Sequence, residues 1–434
     1  MTGRRQGVLF GLCLTLQGCI LLGLSLAARS GCRPSSVVIA LLACFVPYLG
    51  SLVFSRCVPQ RRTLDLIAIS TALLFGAALV LAPPLLSDDL YRYLWEGRIW
   101  LEGGNPYRTA PDDPALAHLR DGLWAQINNK PLASIYPPLS QLLFVVTQWL
   151  GGSVWALKLV ALLAHVLCVA SLALLSTTRR ASLALAINPL LIAEAALNGH
   201  FDILCGLALL IVSWAMARQR IVLAAAATIV AVGLKVVGLV ALPLFARRPK
   251  ILMATAFASA LLLLPLVWSR APVDPSSGPG QFATRWRGNE SVFALLDWLS
   301  RQVFDQSTSS LVARSLVVAL FLVLCAIVAR RAVPPLQGIR GLLWALLLLA
   351  PQVHPWYLAW LLPVELAAGG FAGLLWSAVV LCAYVPLDRW VAEGSWSMPG
   401  WLQVLEYSIL ALALVLDPRR PSLRSQPAES GIRG

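Results

Sequence analysis

The sequence predicts an all-α polytopic membrane protein, and three observations carry that prediction. Of the 434 residues, 59% are hydrophobic and only 12% are charged; an average soluble domain carries about twice that charged share, so a soluble globular enzyme is excluded. Apolar runs approaching or exceeding the roughly 20 residues of a bilayer-spanning helix recur from end to end, at 8–28, 37–54, 64–81 and 311–329 among others. The 34 Lys and Arg outnumber the 20 Asp and Glu, giving a net charge of +14, yet they stand in short clusters between the apolar runs. A nucleic-acid-binding domain would gather them on one face; the positive-inside rule disperses them as found here.

The elements follow in order. The run at 8–28 is too long for a secretory h-region and has no small-residue cleavage site, so it is expected to remain as the first span. Further spans are expected near 37–55, 64–84, 153–176, 181–197, 201–217, 251–268, 311–329, 340–353, 356–368, 371–387 and 401–416. Two short pieces, 221–234 and 236–246, flank Lys235 with basic residues on both sides, the pattern of a re-entrant hairpin. The expectation is a bundle of about 12–14 transmembrane helices forming one integral domain over 1–417, followed by a basic, disordered tail over 418–434.

Nineteen of the basic residues fall in clusters that this threading makes cytoplasmic, from Arg4 and Arg5 to the tail, so both termini are expected inside. The stretch 85–136, the turn from Asn198 to Asp202, the loop 269–310, the region of His354 and the loop 388–400 are then left outside. The nine cysteines show no CxxC or Cys/His zinc spacing. P-loop, GxGxxG and HExxH patterns are missing too, which removes ATP-driven pumps and zinc proteases.

Polar chemistry concentrates in 85–136, which holds seven acids against five bases in an otherwise basic chain. Pro83 and Pro84 end a span, Ser87 can N-cap a new helix, and Leu90, Tyr91, Leu94, Trp95, Ile99 and Leu101 recur at helical spacing. A helix lying on the membrane surface, its aromatics at headgroup depth, is expected. Asp88 and Asp89 open that helix. Acids in a first turn favour the macrodipole, and Asp88 to Arg92 is an i,i+4 pair, so architecture explains them as well as function does. Two adjacent carboxylates at a membrane exit are also well placed to meet a lipid-borne substrate. Gly103-Gly104-Asn105-Pro106-Tyr107 is read as the stop of this helix, and Tyr136-Pro137-Pro138 as the start of the next, with Tyr136 as interfacial anchor or site residue.

The series Ser87-Asp88-Asp89-Leu-Tyr-Arg-Tyr-Leu-Trp-Glu-Gly-Arg98, Gly-Asn-Pro-Tyr107, Tyr136-Pro-Pro138, Asn198-Gly-His-Phe-Asp202 and His354-Pro-Trp-Tyr357 resembles the bacterial membrane glycosyltransferases of the GT-C type. These resemble in turn the mannosyltransferases that take mannose from polyprenyl or dolichyl phosphate. The resemblance spans about 83 to 363 and is specific through its order. It implies inverting transfer of a hexose, mannose first, from a polyprenyl-phosphate-sugar lipid donor to a glycan or lipid-linked acceptor at a non-cytoplasmic face of the bacterial plasma membrane. An acid of the first large outer loop would be the general base. The family signature is often Asp-x-Asp; here the acids are adjacent, so the base is Asp89 or Asp88, with Asp89 preferred because Arg92 gives Asp88 a structural partner.

Displacing a lipid phosphate also asks for positive charge near the leaving group. Lys235, an ammonium in an apolar stretch, the Arg285/Arg287 pair, Arg92 and His354 are the candidates, and Asn198, His200, Asp202 and Tyr136 are candidates for the sugar. Glu194 lies one turn from His200, on a face the imidazole can approach. Cofactors are not required; a divalent metal, with Asp88, Asp89 and His200 as candidate ligands, is left open because no local ligand spacing supports it. Lys158 is read as snorkelling, and Glu365 and Glu406 as polar partners within helices. A transporter or flippase of lipid-linked sugar is the competing reading, but it predicts two similar halves, and the acidic loop occurs once.

Overall fold

The computed structural model describes residues 3–268, 278–331 and 333–417. The expected disordered tail at 418–434, and the part of the 269–310 loop at 269–277, lie outside the described residues. The helices in chain order are α1 (Gly3–Arg29), α2 (Pro34–Phe54), α3 (Arg61–Val80), α4 (Asp89–Leu101), α5 (Gly122–Ala125), α6 (Pro138–Trp149), α7 (Val154–Leu175), α8 (Ala181–Ala186), α9 (Pro189–Ile192) and α10 (Ile203–Ala217). They continue with α11 (Ile221–Leu234), α12 (Pro249–Trp268), α13 (Gly278–Thr284), α14 (Val292–Ser300), α15 (Gln306–Arg330), α16 (Pro335–Leu349), α17 (Leu358–Ala367), α18 (Ala372–Val379), α19 (Leu387–Glu393) and α20 (Gly400–Leu416).

Among the described residues, seven helical stretches are long and apolar enough to cross a membrane: Gly3–Arg29, Pro34–Cys57, Arg61–Val80, Val154–Leu175, Pro249–Leu266, Gln306–Arg330 and Ala372–Glu393. Five more are apolar but shorter, including Ile203–Ala217 and Gly400–Leu416. The protein is therefore an all-helical, multi-pass membrane protein. α15 turns Leu311, Leu316, Val318, Leu322 and Val323 outward, as a helix against lipid does.

The expected span at 181–197 is different in kind. Asn188 and Pro189 break it into α8, α9 and a π-helical turn over Ala193–Leu197, and every residue from 181 to 200 is buried. Pro189 cannot extend α8, and Asn188 caps α9 by accepting the Leu191 N–H at 3.1 Å. This broken segment is the centre of the bundle, where freed backbone groups find protein partners instead of lipid. The pair around Lys235 forms as α11 followed by a 3₁₀ segment, Val236–Phe245, the two packed together.

α4 does not lie on the surface. Leu90, Tyr93 and Leu94 pack with Tyr136, Phe144, Leu157, Ala161, Ala195 and Phe201, while the loop that follows folds back so that Leu116 and Ile127 cover Trp95 and Ile99. Burying both faces removes the apolar side that would have faced headgroups. Gly97 lets α4 approach the backbone of α6: a Cβ there would stand 2.4 Å from the Phe144 carbonyl oxygen.

Lys158 does not snorkel either. It is fully buried, and its ammonium donates to the carbonyls of Ala82 at 2.5 Å and Leu79 at 3.4 Å, satisfying the C-terminal end of α3. Glu365 pairs with Arg340, which also reaches Asp417 at 2.5 Å. Glu406 accepts from Trp376 at 2.8 Å and Asn289 at 3.1 Å.

Candidate active site

Four stretches of chain meet around the adjacent acids. Asp88 precedes α4 and Asp89 is its first residue; the Asp89 N–H donates to the Ser87 hydroxyl at 3.3 Å, so the helix begins where the carboxylates stand. Across from them the central segment reverses at Asn198-Gly199. Gly199 takes φ +76°, a left-handed value suited to glycine, and the His200 N–H donates to the Glu194 carbonyl at 2.8 Å. The third stretch is the return of the long loop at 128–136. The fourth, 352–360, is non-helical up to Pro355, as a proline after His354 requires.

Side-chain geometry ties them together. The Asn128 amide nitrogen donates to Asp88 Oδ1 at 2.6 Å and Asp89 Oδ1 at 2.8 Å. His200 Nδ1 meets Glu194 Oε2 at 2.7 Å, and the Tyr384 hydroxyl donates to Glu194 Oε1 at 2.5 Å. On its other side His200 Nε2 lies 3.9 Å from Asp89 Oδ2, an ion-pair distance too long for a direct hydrogen bond. Trp356 is stacked between two imidazoles, with ring centroids 4.3 Å from His200 and 4.1 Å from His354. Lys235 Nζ is 3.2 Å from Asp202 Oδ1, which also accepts from Trp360 at 2.9 Å, and the ammonium sits 5.3 Å from the centroid of Tyr136. Three buried polar atoms around this cluster have no protein partner: Asp202 Oδ2, the Tyr93 hydroxyl and Gln352 Oε1.

The environment separates the two acids. Burial and the charge of Asp89 push the Asp88 carboxyl up to about 6, against the opposing pull of Asn128 and Lys130. Burial would raise Asp89 as well, but His200 and Asn128 outweigh it and hold Asp89 below the usual carboxylate range. Burial alone would lower His200, yet Asp89 and Glu194 raise it to about 9, so the ring is an imidazolium at neutral pH. His354 is pushed down to about 4 by burial and stays neutral, which suits acceptance at Nε2 from the Gln352 amide 2.6 Å away.

Asp88, Asp89, Tyr136, Asn198, His200, Asp202, Lys235 and His354 are thus brought to one neighbourhood. The three expected arginines have other partners or surroundings. Arg92 pairs with Glu96 at 2.8 Å rather than with Asp88, because Asp88 stands before the first turn whereas Glu96 lies within the helix, one turn on. Arg287 is bound by Glu290 at 2.6 Å and Asp297 at 2.8 Å, in the segment whose Gly288 exchanges backbone hydrogen bonds with Pro351 and Val353 beside His354. Arg285 is exposed. Among the described residues no group of three or more His, Cys, Asp or Glu could hold a metal ion, so Asp88, Asp89 and His200 do not assemble a ligand set. Sequence reasoning missed Asn128, Tyr384 and Gln352; Trp356 was in view inside the His354-Pro-Trp-Tyr357 series, but without a role.

No curated protein and no solved structure matches this chain. A family profile does: that of the alpha-(1→6)-mannopyranosyltransferase family, N-terminal domain, matches residues 19–248. The match contains both acids, Tyr136, the Asn198 to Asp202 reversal and Lys235, and ends before His354. It covers more than half of the chain, and the protein accordingly belongs to the MptA/B family of alpha-(1→6)-mannopyranosyltransferases.

Proposed function

We propose that this protein transfers mannose from a polyprenyl-phosphate-mannose lipid to a hydroxyl of a glycan or lipid-linked acceptor, at the non-cytoplasmic face of the membrane and with no nucleotide sugar. The observation that carries the reading is the placement of Asp89. Its Oδ1 is occupied by Asn128, and its Oδ2 faces the His200 imidazolium without a direct hydrogen bond.

In the proposed step the acceptor hydroxyl attacks C1 of the mannosyl group while the C1–O bond to phosphate breaks. The hydroxyl proton passes to Asp89, and the polyprenyl phosphate leaves with the bonding electron pair. Asp89 is ionised at neutral pH and suits a late proton transfer, once attack has made the hydroxyl acidic. Lys235 is the cation assigned to the departing phosphate, held by Asp202 beside Tyr136. The unpartnered Asp202 Oδ2 and Tyr93 hydroxyl suit sugar hydroxyls, which supply both donors and acceptors. An α product formed with inversion requires a β-linked donor. The orientation rests on the basic clusters, which leave 85–136 on the outer side.

The test uses sealed right-side-out membrane vesicles containing the full chain, polyprenyl-phosphate-mannose and an impermeant mannan acceptor added outside. Elongation with α-1,6 linkage is expected from the lipid donor and not from GDP-mannose added on either side. Transfer from the nucleotide sugar, or elongation only in inverted vesicles, would overturn the reading.

A further inference from the structure

We infer that Asn128 is a positioning residue for the transfer: its side-chain amide sets the two adjacent carboxylates side by side, and the Arg92–Glu96 pair on α4 holds Asn128 in place. The inference rests on the reading of Asp88 and Asp89 as the acids that supply the base.

A primary amide has two hydrogens. Asn128 directs one at each acid, at 2.6 and 2.8 Å, leaving the Oδ2 atom of Asp89 toward His200. The residue comes from the loop, about forty positions along the chain, so its placement has to be built. Arg92 builds it. The guanidinium, 5% exposed, donates to the backbone carbonyls of Asn128 at 3.4 Å, Asn129 at 3.1 Å and Leu132, bracketing the turn in which Asn129 adopts φ +45°. Glu96 anchors Arg92 at 2.8 Å, and its second oxygen accepts from Ser134 at 2.7 Å and Gln141 at 2.6 Å. The start of α4 therefore carries the acids, Asp88 just before the helix and Asp89 as its first residue, and one turn later comes the device that returns the loop over them.

Anchoring the loop alone would be complete with the backbone carbonyls on Arg92. The amide is spent instead on two carboxylates that repel each other. A hydrogen bond to the charged form favours that form, so Asn128 opposes protonation of the pair. The groups facing Asp88 are Asp89, Asn128, Lys130 and Tyr91; those facing Asp89 are Asp88, His200, Asn128 and His354, with the hydroxyls of Tyr93, Tyr136, Tyr357 and Tyr384 around them. None of the others donates to both acids.

The experiment measures transfer from polyprenyl-phosphate-mannose against pH for full-length protein in nanodiscs, with thermal unfolding run alongside. In the parent, transfer should fall as pH drops through about 6, where Asp88 takes up its proton and the amide that orients Asp89 loses one of its two charged acceptors. Asn128→Ala should lower kcat roughly 10- to 100-fold with the donor KM little changed, and should move the acid limb upward by about one pH unit, the reach of one lost charge-assisted hydrogen bond. Asn128→Ser, with one hydrogen to give, should fall between. In an Asp88→Asn background, where the repulsion is gone, the added cost of Asn128→Ala should shrink. If Asn128→Ala does not fold, the serine variant decides. An unmoved kcat and acid limb in folded protein would overturn the positioning role. Should Asp88→Asn and Asp89→Asn both transfer at parental rates, the reading of the acids fails instead.

Discussion

Arg340, Glu365 and Asp417 form a cluster as buried as that of Asp89, His200, Asp202 and Lys235, and built from the same kinds of charge. In the first, every carboxylate oxygen is engaged: Glu365 by Arg340 and by Trp344 at 2.9 Å, Asp417 by Arg340 and by the Phe371 N–H at 3.0 Å. It ties α16, α17 and the end of α20 together and leaves nothing for a ligand. In the second, Asp202 keeps an oxygen without a partner and Asp89 stops 3.9 Å short of His200. Incomplete pairing costs stability in a buried place. Burial and charge alone therefore do not distinguish these two clusters; how completely their carboxylate oxygens are paired does.

Three substitutions sharpen or break this contrast. The largest expected effect on transfer is from Asp89→Asn, a loss of about 10²- to 10⁴-fold in kcat, the usual worth of a general base, with the donor still bound. Near-parental rates in nanodiscs from this variant, from Asp88→Asn and from the double variant would reduce both acids to helix-start residues. Next comes Lys235→Met. It should raise the donor KM roughly 10- to 100-fold, equivalent to a charge-assisted hydrogen bond of about 1.5–3 kcal/mol, with a much smaller effect on the acceptor. Equal donor affinity in variant and parent rejects the phosphate role. Smallest for transfer is Arg340→Ala, which should leave turnover per folded molecule unchanged while costing about 3–5 kcal/mol of stability, because it strands two buried carboxylates. Thermal unfolding in detergent reads the loss, and a variant as stable as the parent would erase the distinction between the two clusters.

The sequence was informative where one residue type forces one outcome. Hydropathy marked the long spans, Pro137-Pro138 opened α6, and Asn198-Gly199 turned back on Glu194 as its turn chemistry requires. It was ambiguous where physics allows two answers. The run 181–197 is equally apolar whether lipid or protein surrounds it, so composition could not show that it lies at the centre in broken form. Arg92 has an acid four residues away on each side, and only the true start of α4 decides between Asp88 and Glu96. Asn128 and Tyr384 lie 39 and 190 residues from the acids they serve, Asp89 and Glu194, and carry no periodicity that would draw attention to them.

The accuracy of the site is guarded by two residues that carry no chemistry. Gly97 seats α4 against α6, and at Gly206, four residues after Asp202, a Cβ would lie 2.2 Å from the Ala359 carbonyl oxygen, so α10 rests directly on the helix that carries Trp360. At both positions even one added methyl group would wedge two backbones apart. Genetic drift at these glycines would therefore be expected to inactivate the enzyme while every polar residue of the site remained intact, and surveys of its natural variation should find these silent positions among the least tolerant.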